Sequence, residues 1–230
     1  MQRRLACRPR RHATLRPPRS AARWALSAAR RMPQPVQSAP MIRSVRLNAQ
    51  AELPWTAADA VPRAARPPAL WSWLIDSGSL TQRLREHAGT SFRLHVLAEQ
   101  REALRQTDAT RMQVAPDQQA LIREVRLDAD GHAAIHAVTV IPASTLAAHP
   151  ELAALGARPL GEALFERADV ARAPFEVACL GPSHPLAARA LAAAGAQRAR
   201  LWARRSVVRV AGQPLLIHEC FLFPPLGADR

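Results

Sequence analysis

Apolar and polar positions alternate in several stretches of the C-terminal two thirds of the chain, and each alternation marks a strand. "SFRLHVLAE" places Phe92, Leu94 and Val96 on one side. "ALIREVRL" and "AAIHAVTVIP" flank "DADGH", whose Asp130-Gly131 pair predicts a tight hairpin turn. "PFEVACL" reads as a further strand, and "ARLWARRSVVRV", "AGQP" and "LLIHECFLF" read as a closing hairpin. Helical spacing takes over between these stretches. It joins Leu70, Trp71, Leu74 and Ile75 in "PPALWSWLID", and continues in "GSLTQRLREHAG", with Ser79 as N-cap and Gly89 as C-terminal stop. "PELAALG" and "RPLGEALFER" predict short helices and "HPLAARALAAAGA" an Ala-rich one, whereas residues 101–119 are less regular. The pattern predicts an α+β fold with a single antiparallel sheet of about six strands covered by helices.

Two strands break their own pattern. In the last one, Leu215, Ile217, Phe221 and Phe223 share a face with Glu219; in "LIREVRL", Leu121, Val125 and Leu127 share a face with Arg123. A lone buried charge costs several kcal/mol, so each needs a partner. That partner is either the other charge, in a purely structural ion pair, or a ligand. A mostly apolar hollow with one guanidinium and one carboxylate suits a small organic acid. The guanidinium would bind a carboxylate through two hydrogen bonds, and Glu219 would accept a hydrogen bond from a hydroxyl or move a proton. Arg204 and Arg205 in "WARRS" either form a solvated edge or border this site. His218 and Cys220 alternate to the side opposite Glu219 and read as packing residues.

Composition narrows the chemistry. All 32 basic residues of the 230 are Arg, so Schiff-base enzymes and a Walker-type lysine are excluded. Residues 1–66 hold 14 Arg against Glu52 and Asp59, while residues 67–230 hold 18 Arg against 16 acids. The net charge of +14 therefore belongs to an Arg/Pro/Ala-rich extension, expected to be disordered, ahead of a nearly neutral domain over residues 67–230. The extension is a nucleic-acid or membrane-binding tail, a transit peptide, or upstream sequence translated from an early start codon, with Met32 and Met41 as later starts. The third reading is preferred, because sustained amphipathic periodicity is hard to find there. Native peptides from residues 1–31, seen by mass spectrometry, would exclude it. Three scattered cysteines and no apolar run near 20 residues point to a cytoplasmic protein. The His132/His136 spacing spans a strand, not a helix, and "DADG" lacks the rest of a calcium loop, so no metal is expected.

"LIDSGSLTQRL", "IREVRLDADG", "VIPASTL", "LGARPLGEALF", "LWARRS" and "GQPLLIHECFLFP" together resemble, in order and spacing, the motifs of chorismate pyruvate-lyase. The resemblance runs from about Leu70 to Pro224. It implies a monomeric, cofactor-free lyase that splits chorismate into 4-hydroxybenzoate and pyruvate for ubiquinone synthesis, with a site closed by flaps. By the same resemblance Arg123, Leu160 and Glu219 contact substrate, and Leu80 stands where some members have Met. Arg123 and Glu219 are the implied catalytic pair. Members often carry Arg or His at the position of Val138, and His136, on the same strand face, is a candidate substitute. The alternative is a non-catalytic organic-acid sensor of similar fold. A nucleic-acid partner is not expected, since the tail lacks interleaved aromatic residues.

Overall fold

Helices and strands here are set by which face each can bury. The computed structural model describes residues 55–88, 91–165 and 167–222. Gly89, Phe223 and residues 1–54 of the extension lie outside the described residues. In chain order the strands are β1 (Thr56–Ala57), β2 (Arg93–Ala103), β3 (Gln119–Ala129), β4 (His132–Pro142), β5 (Val170–Arg172), β6 (Glu176–Leu180), β7 (Leu201–Val210) and β8 (Gln213–Phe221). They form one sheet in the order β1-β6-β7-β8-β4-β3-β2, with β5 paired to β7 beyond the end of β6. Every pairing is antiparallel.

The sheet has eight strands where the alternation predicts about six. The two extra ones, β1 and β5, contain two and three residues, too few to show a period. Two tight turns make the long hairpins. Asp130 and Gly131 (φ 53° and 77°) join β3 to β4, and Ala211 and Gly212 (φ 46° and 83°) join β7 to β8. Positive φ at both central positions matches the right-handed twist of the flanking strands.

Helices cover both faces. On the first face lie α1 (Pro68–Leu74), α2 (Leu80–Ala88), α4 (Ala143–Ala148) and α5 (Leu160–Phe165); on the second lie α3 (Gln106–Met112) and α6 (Pro185–Ala194). Ser79 caps α2 through a 3.2 Å bond from the Gln82 amide to its hydroxyl. α6 runs to Gly195, whose left-handed φ of 59° ends it. α3 falls in the irregular stretch 101–119, where polar residues dilute its apolar face to Ala109 and Met112. The "PELAALG" helix is a single 3-10 turn, Pro150–Ala153, and α4 precedes it.

The described chain begins at Trp55, ahead of the expected domain boundary at residue 67. Thr56 and Ala57 pair with Val177 and Glu176 of β6, and the Ala58 amide donates to the Phe175 carbonyl at 3.0 Å. Val61 is buried with Leu70, Trp73 and Leu74. Residues 55–66 therefore belong with the domain. A few backbone bonds hold them there, which leaves little trace in composition.

The apolar core divides in four. On the first face, α1 and α2 pack Leu70, Trp73, Leu74, Leu80 and Leu84 on Leu127, Ile135 and Phe221. Leu146 of α4 and Leu164 of α5 pack on Leu121, Ile141, Leu215 and Ile217. On the second face α6 covers Val138, Ala203 and Cys220, and α3 covers Ala120, Val140 and Leu216.

Candidate active site

Between the two apolar clusters of the first face runs a band of polar side chains, placed there by strand register. Directly opposite residues on adjacent strands share a face. One row therefore reads Glu99, Arg123, Thr139, Ile217, Ser206 from β2 to β7. The row beside it reads Val125, Ala137, Glu219, Arg204, Val177. Arg123 is 2% exposed, Glu219 9% and Arg204 0%, so the charges are out of water although the strands around them are apolar.

Arg123 and Glu219 do share this face, as the alternation predicts. They are not each other's ion-pair partners. Two inter-strand spacings and two residues separate them, roughly 12 Å between Cα atoms from standard sheet spacing. Arg123 pairs through Nη1 with Glu99, and its Nη2 donates to the carbonyls of Gly156 (2.8 Å) and Arg158 (3.3 Å). Glu219 accepts from Arg204 Nε at 2.5 Å. Each misfit thus has its own counter-charge, as desolvation demands.

Arg204 is the main residue the alternation could not assign. It lies across the site from Arg123, whereas its neighbour Arg205 turns to the second face and binds Glu176 at 2.7 Å. Arg204 Nη1 donates to the carbonyls of Trp73 (2.9 Å) and Asp76 (2.8 Å), and its Nη2 is buried without a hydrogen-bond partner. Arg172, on the short β5, donates to Ser206 Oγ at 2.7 Å and stacks with Arg204 on the Phe175 ring. Burial pulls the Arg172 pKa down; Glu219 works against that and Arg204 adds to it. Asp76 closes this end. Burial works to raise its pKa, but the Gly78 amide, Arg83 and Arg204 hold it below the usual carboxylate value.

Leu80 and Leu160 open the two helices that roof the band. Leu80, first residue of α2, is 5% exposed in the cluster around Leu127. Leu160, first residue of α5, packs on the cluster around Leu121. Arg85 of α2 pairs with Glu162 of α5, so the two helices meet above the sheet. The loop ahead of α5 supplies the two carbonyls that fix Arg123.

The second face corrects one expectation. His136 pairs in register with Arg126 and Cys220, and its Nε2 lies 2.5 Å from Glu124, which also pairs with Arg189 of α6. It points away from Arg123 and Glu219 and cannot stand in for a polar residue at Val138. Val138 itself is 3% exposed against α6. A residue at either position faces the α6 core, because both lie one step out of phase with Thr139 and Ala137. His218 and Cys220 are packed on this same face.

Comparison with known proteins places the chain in a family. The family described as chorismate lyase matches residues 35–228. A probable chorismate pyruvate-lyase of Ralstonia nicotianae is 42% identical over 172 residues, covering 70% of this chain and 87% of the relative. One from Halorhodospira halophila is 38% identical over 176 residues, covering 76% and 93%. Among solved structures, the effector domain of PhnF from Mycobacterium smegmatis shares the fold, with TM-score 0.52, 19% identity, and coverage of 63% of this chain and 88% of that one. The family match over most of the chain and relatives at 38–42% identity show that this chain belongs to the chorismate lyase family.

Proposed function

We propose that the protein is a lyase that splits chorismate into 4-hydroxybenzoate and pyruvate, with Arg123 and Glu219 at opposite ends of the ring. The observation that carries the reading is the polar band itself: the buried guanidinium groups of Arg123 and Arg204, the half-buried one of Arg172, and Glu219 in an apolar face, roofed by helices that begin at Leu80 and Leu160. Chorismate is a dianion with one carboxylate on the ring and one on the enolpyruvyl ether. Arg123, anchored through Nη2 by two backbone carbonyls, takes the ring carboxylate on Nη1. Arg204, with its unpartnered Nη2, and Arg172 take the side-chain carboxylate.

The reaction breaks the bond between ring and ether oxygen. The hydrogen on the hydroxyl-bearing ring carbon leaves as a proton, the ring becomes aromatic, and the departing enolpyruvate gains a proton at its methylene carbon to become pyruvate. Glu219 stands at the hydroxyl end and carries that proton from ring to leaving group. Arg204, bonded to Glu219 and bound to the side-chain carboxylate, holds the two groups in reach of each other. Leu80 and Leu160 exclude water and favour the planar product, so release of 4-hydroxybenzoate limits turnover.

Incubation with chorismate tests the proposal. Equal amounts of 4-hydroxybenzoate and pyruvate are expected, with Glu219→Gln slowing turnover by about 100-fold or more and Arg123→Ala chiefly raising KM. Binding of chorismate without turnover, or near-normal rates in Glu219→Gln, would overturn it.

A further inference from the structure

The guanidinium group assigned to the substrate is already occupied by a carboxylate of the protein itself. Glu99 reaches Arg123 from the outermost long strand, β2. It does so because β2 carries a bulge. Val96 pairs with Val125 and Ala98 with Glu124, so Leu97 is skipped in the ladder. With an unbroken ladder Ala98 would face Arg123, and Glu99 would lie opposite Ile122 on the second face. The extra residue shifts the register by one and turns Glu99 onto the first face, directly opposite Arg123. The side chain of Glu99 is 33% exposed while that of Arg123 is 2% exposed. Glu99 can therefore withdraw to water, and Arg123, held by the carbonyls of Gly156 and Arg158, cannot follow.

The charges point the same way. A substrate carboxylate that displaces Glu99 keeps Arg123 paired one to one, whereas a carboxylate added beside Glu99 would crowd two negative charges onto a single buried guanidinium.

We infer that Glu99 is a built-in competitor for the carboxylate position on Arg123, displaced by substrate and returning to help expel the aromatic product. The inference rests on the functional reading above. Since only the fraction of molecules with Glu99 withdrawn accepts ligand, Glu99 raises the apparent dissociation constant of every carboxylate that binds there.

The test is Glu99→Gln and Glu99→Asp beside the wild type, with calorimetric binding of 4-hydroxybenzoate and steady-state kinetics on chorismate. Gln removes the competing charge, and Asp is too short to span to Arg123. In both variants Kd for 4-hydroxybenzoate is expected to fall about five- to tenfold, the worth of a half-exposed ion pair. KM should fall in the same ratio, product inhibition should tighten, and kcat should not rise. A variant that binds 4-hydroxybenzoate more weakly would show that Glu99 merely orders Arg123, and unchanged binding would show that it does not compete; either result overturns the inference. Wild-type protein that turns over chorismate while the variants fail in this way leaves the function standing. Wild-type protein that neither binds 4-hydroxybenzoate nor consumes chorismate overturns both.

Discussion

Arg123 and Glu219 were legible as misfits because each sits mid-strand among aliphatic neighbours, and period-two alternation exposes such a residue without any knowledge of the fold. Their actual partners were not legible. Glu99 is in phase with Arg123 only through the bulge at Leu97, and a bulge leaves no signature in a pattern of exposed, mixed residues. Arg204 and Arg205 are adjacent, so one must face the site and one must not. Only the register with β8, which sets Arg204 against Glu219, decides which. A buried histidine carries a consequence for pH. His218 lies on the second face near Trp55, whose ring is 6.0 Å away, and burial lowers its pKa to about 4, with Arg205, Arg105 and Arg111 adding to the effect and Asp108 opposing it. In the unfolded chain the same ring titrates near 6.5. Between these values the unfolded state holds a proton that the native state refuses, so stability is full above pH 6.5 and is lost as pH falls toward 4. Denaturant titrations at pH 7.5 and pH 5 should show the wild type losing about 2 kcal/mol more than His218→Gln. Equal losses would mean that His218 is charged in the folded protein.

Long elements are legible in the sequence, and short ones are not. The β3–β4 and β7–β8 hairpins follow from alternation and turn residues, and α6 from its Ala-rich helical spacing. The two-residue β1, the three-residue β5 and the seven-residue α3 are fixed by tertiary contacts rather than by local preference. One short connection matters more than its length suggests. The loop between the 3-10 turn and α5 directs the Gly156 and Arg158 carbonyls at Arg123. Gly156 has φ +52°, and a Cβ there would meet no atom within 4 Å. Substitution therefore costs backbone strain without a clash. Gly156→Ala is expected to lower stability by about 1 kcal/mol in urea denaturation and to raise KM for chorismate without a matching change in kcat. A fall in kcat with KM unchanged would mean that the loop serves the chemical step rather than the grip on the ring carboxylate.

At the scale of the whole molecule, one sheet separates two kinds of interior. The first face gives up aliphatic contacts in its centre for charge, while the second keeps them and relies on α3 and α6. That division explains why Val138 is tolerated: it lies on the packing side. The sheet also has two very different borders. β2 is eleven residues long and carries Arg93, His95, Glu99, Arg101 and Glu102, charges that discourage another chain from adding on. β6 is only five residues long and carries one charge, Glu176, at its start. Its outer rim is sheltered by Thr56 and Ala57, while Trp55 beside them lies under the Arg205 guanidinium at 4.4 Å. Two residues from the far side of α1 thus act as a clasp on an otherwise sticky margin. A chain shortened to begin at Pro67 keeps every group of the polar band but bares that margin. It should elute earlier than a chain beginning at Val45 in size-exclusion chromatography as concentration rises, through strand-to-strand joining of copies. Matching elution of the two would mean that the clasp is ornamental.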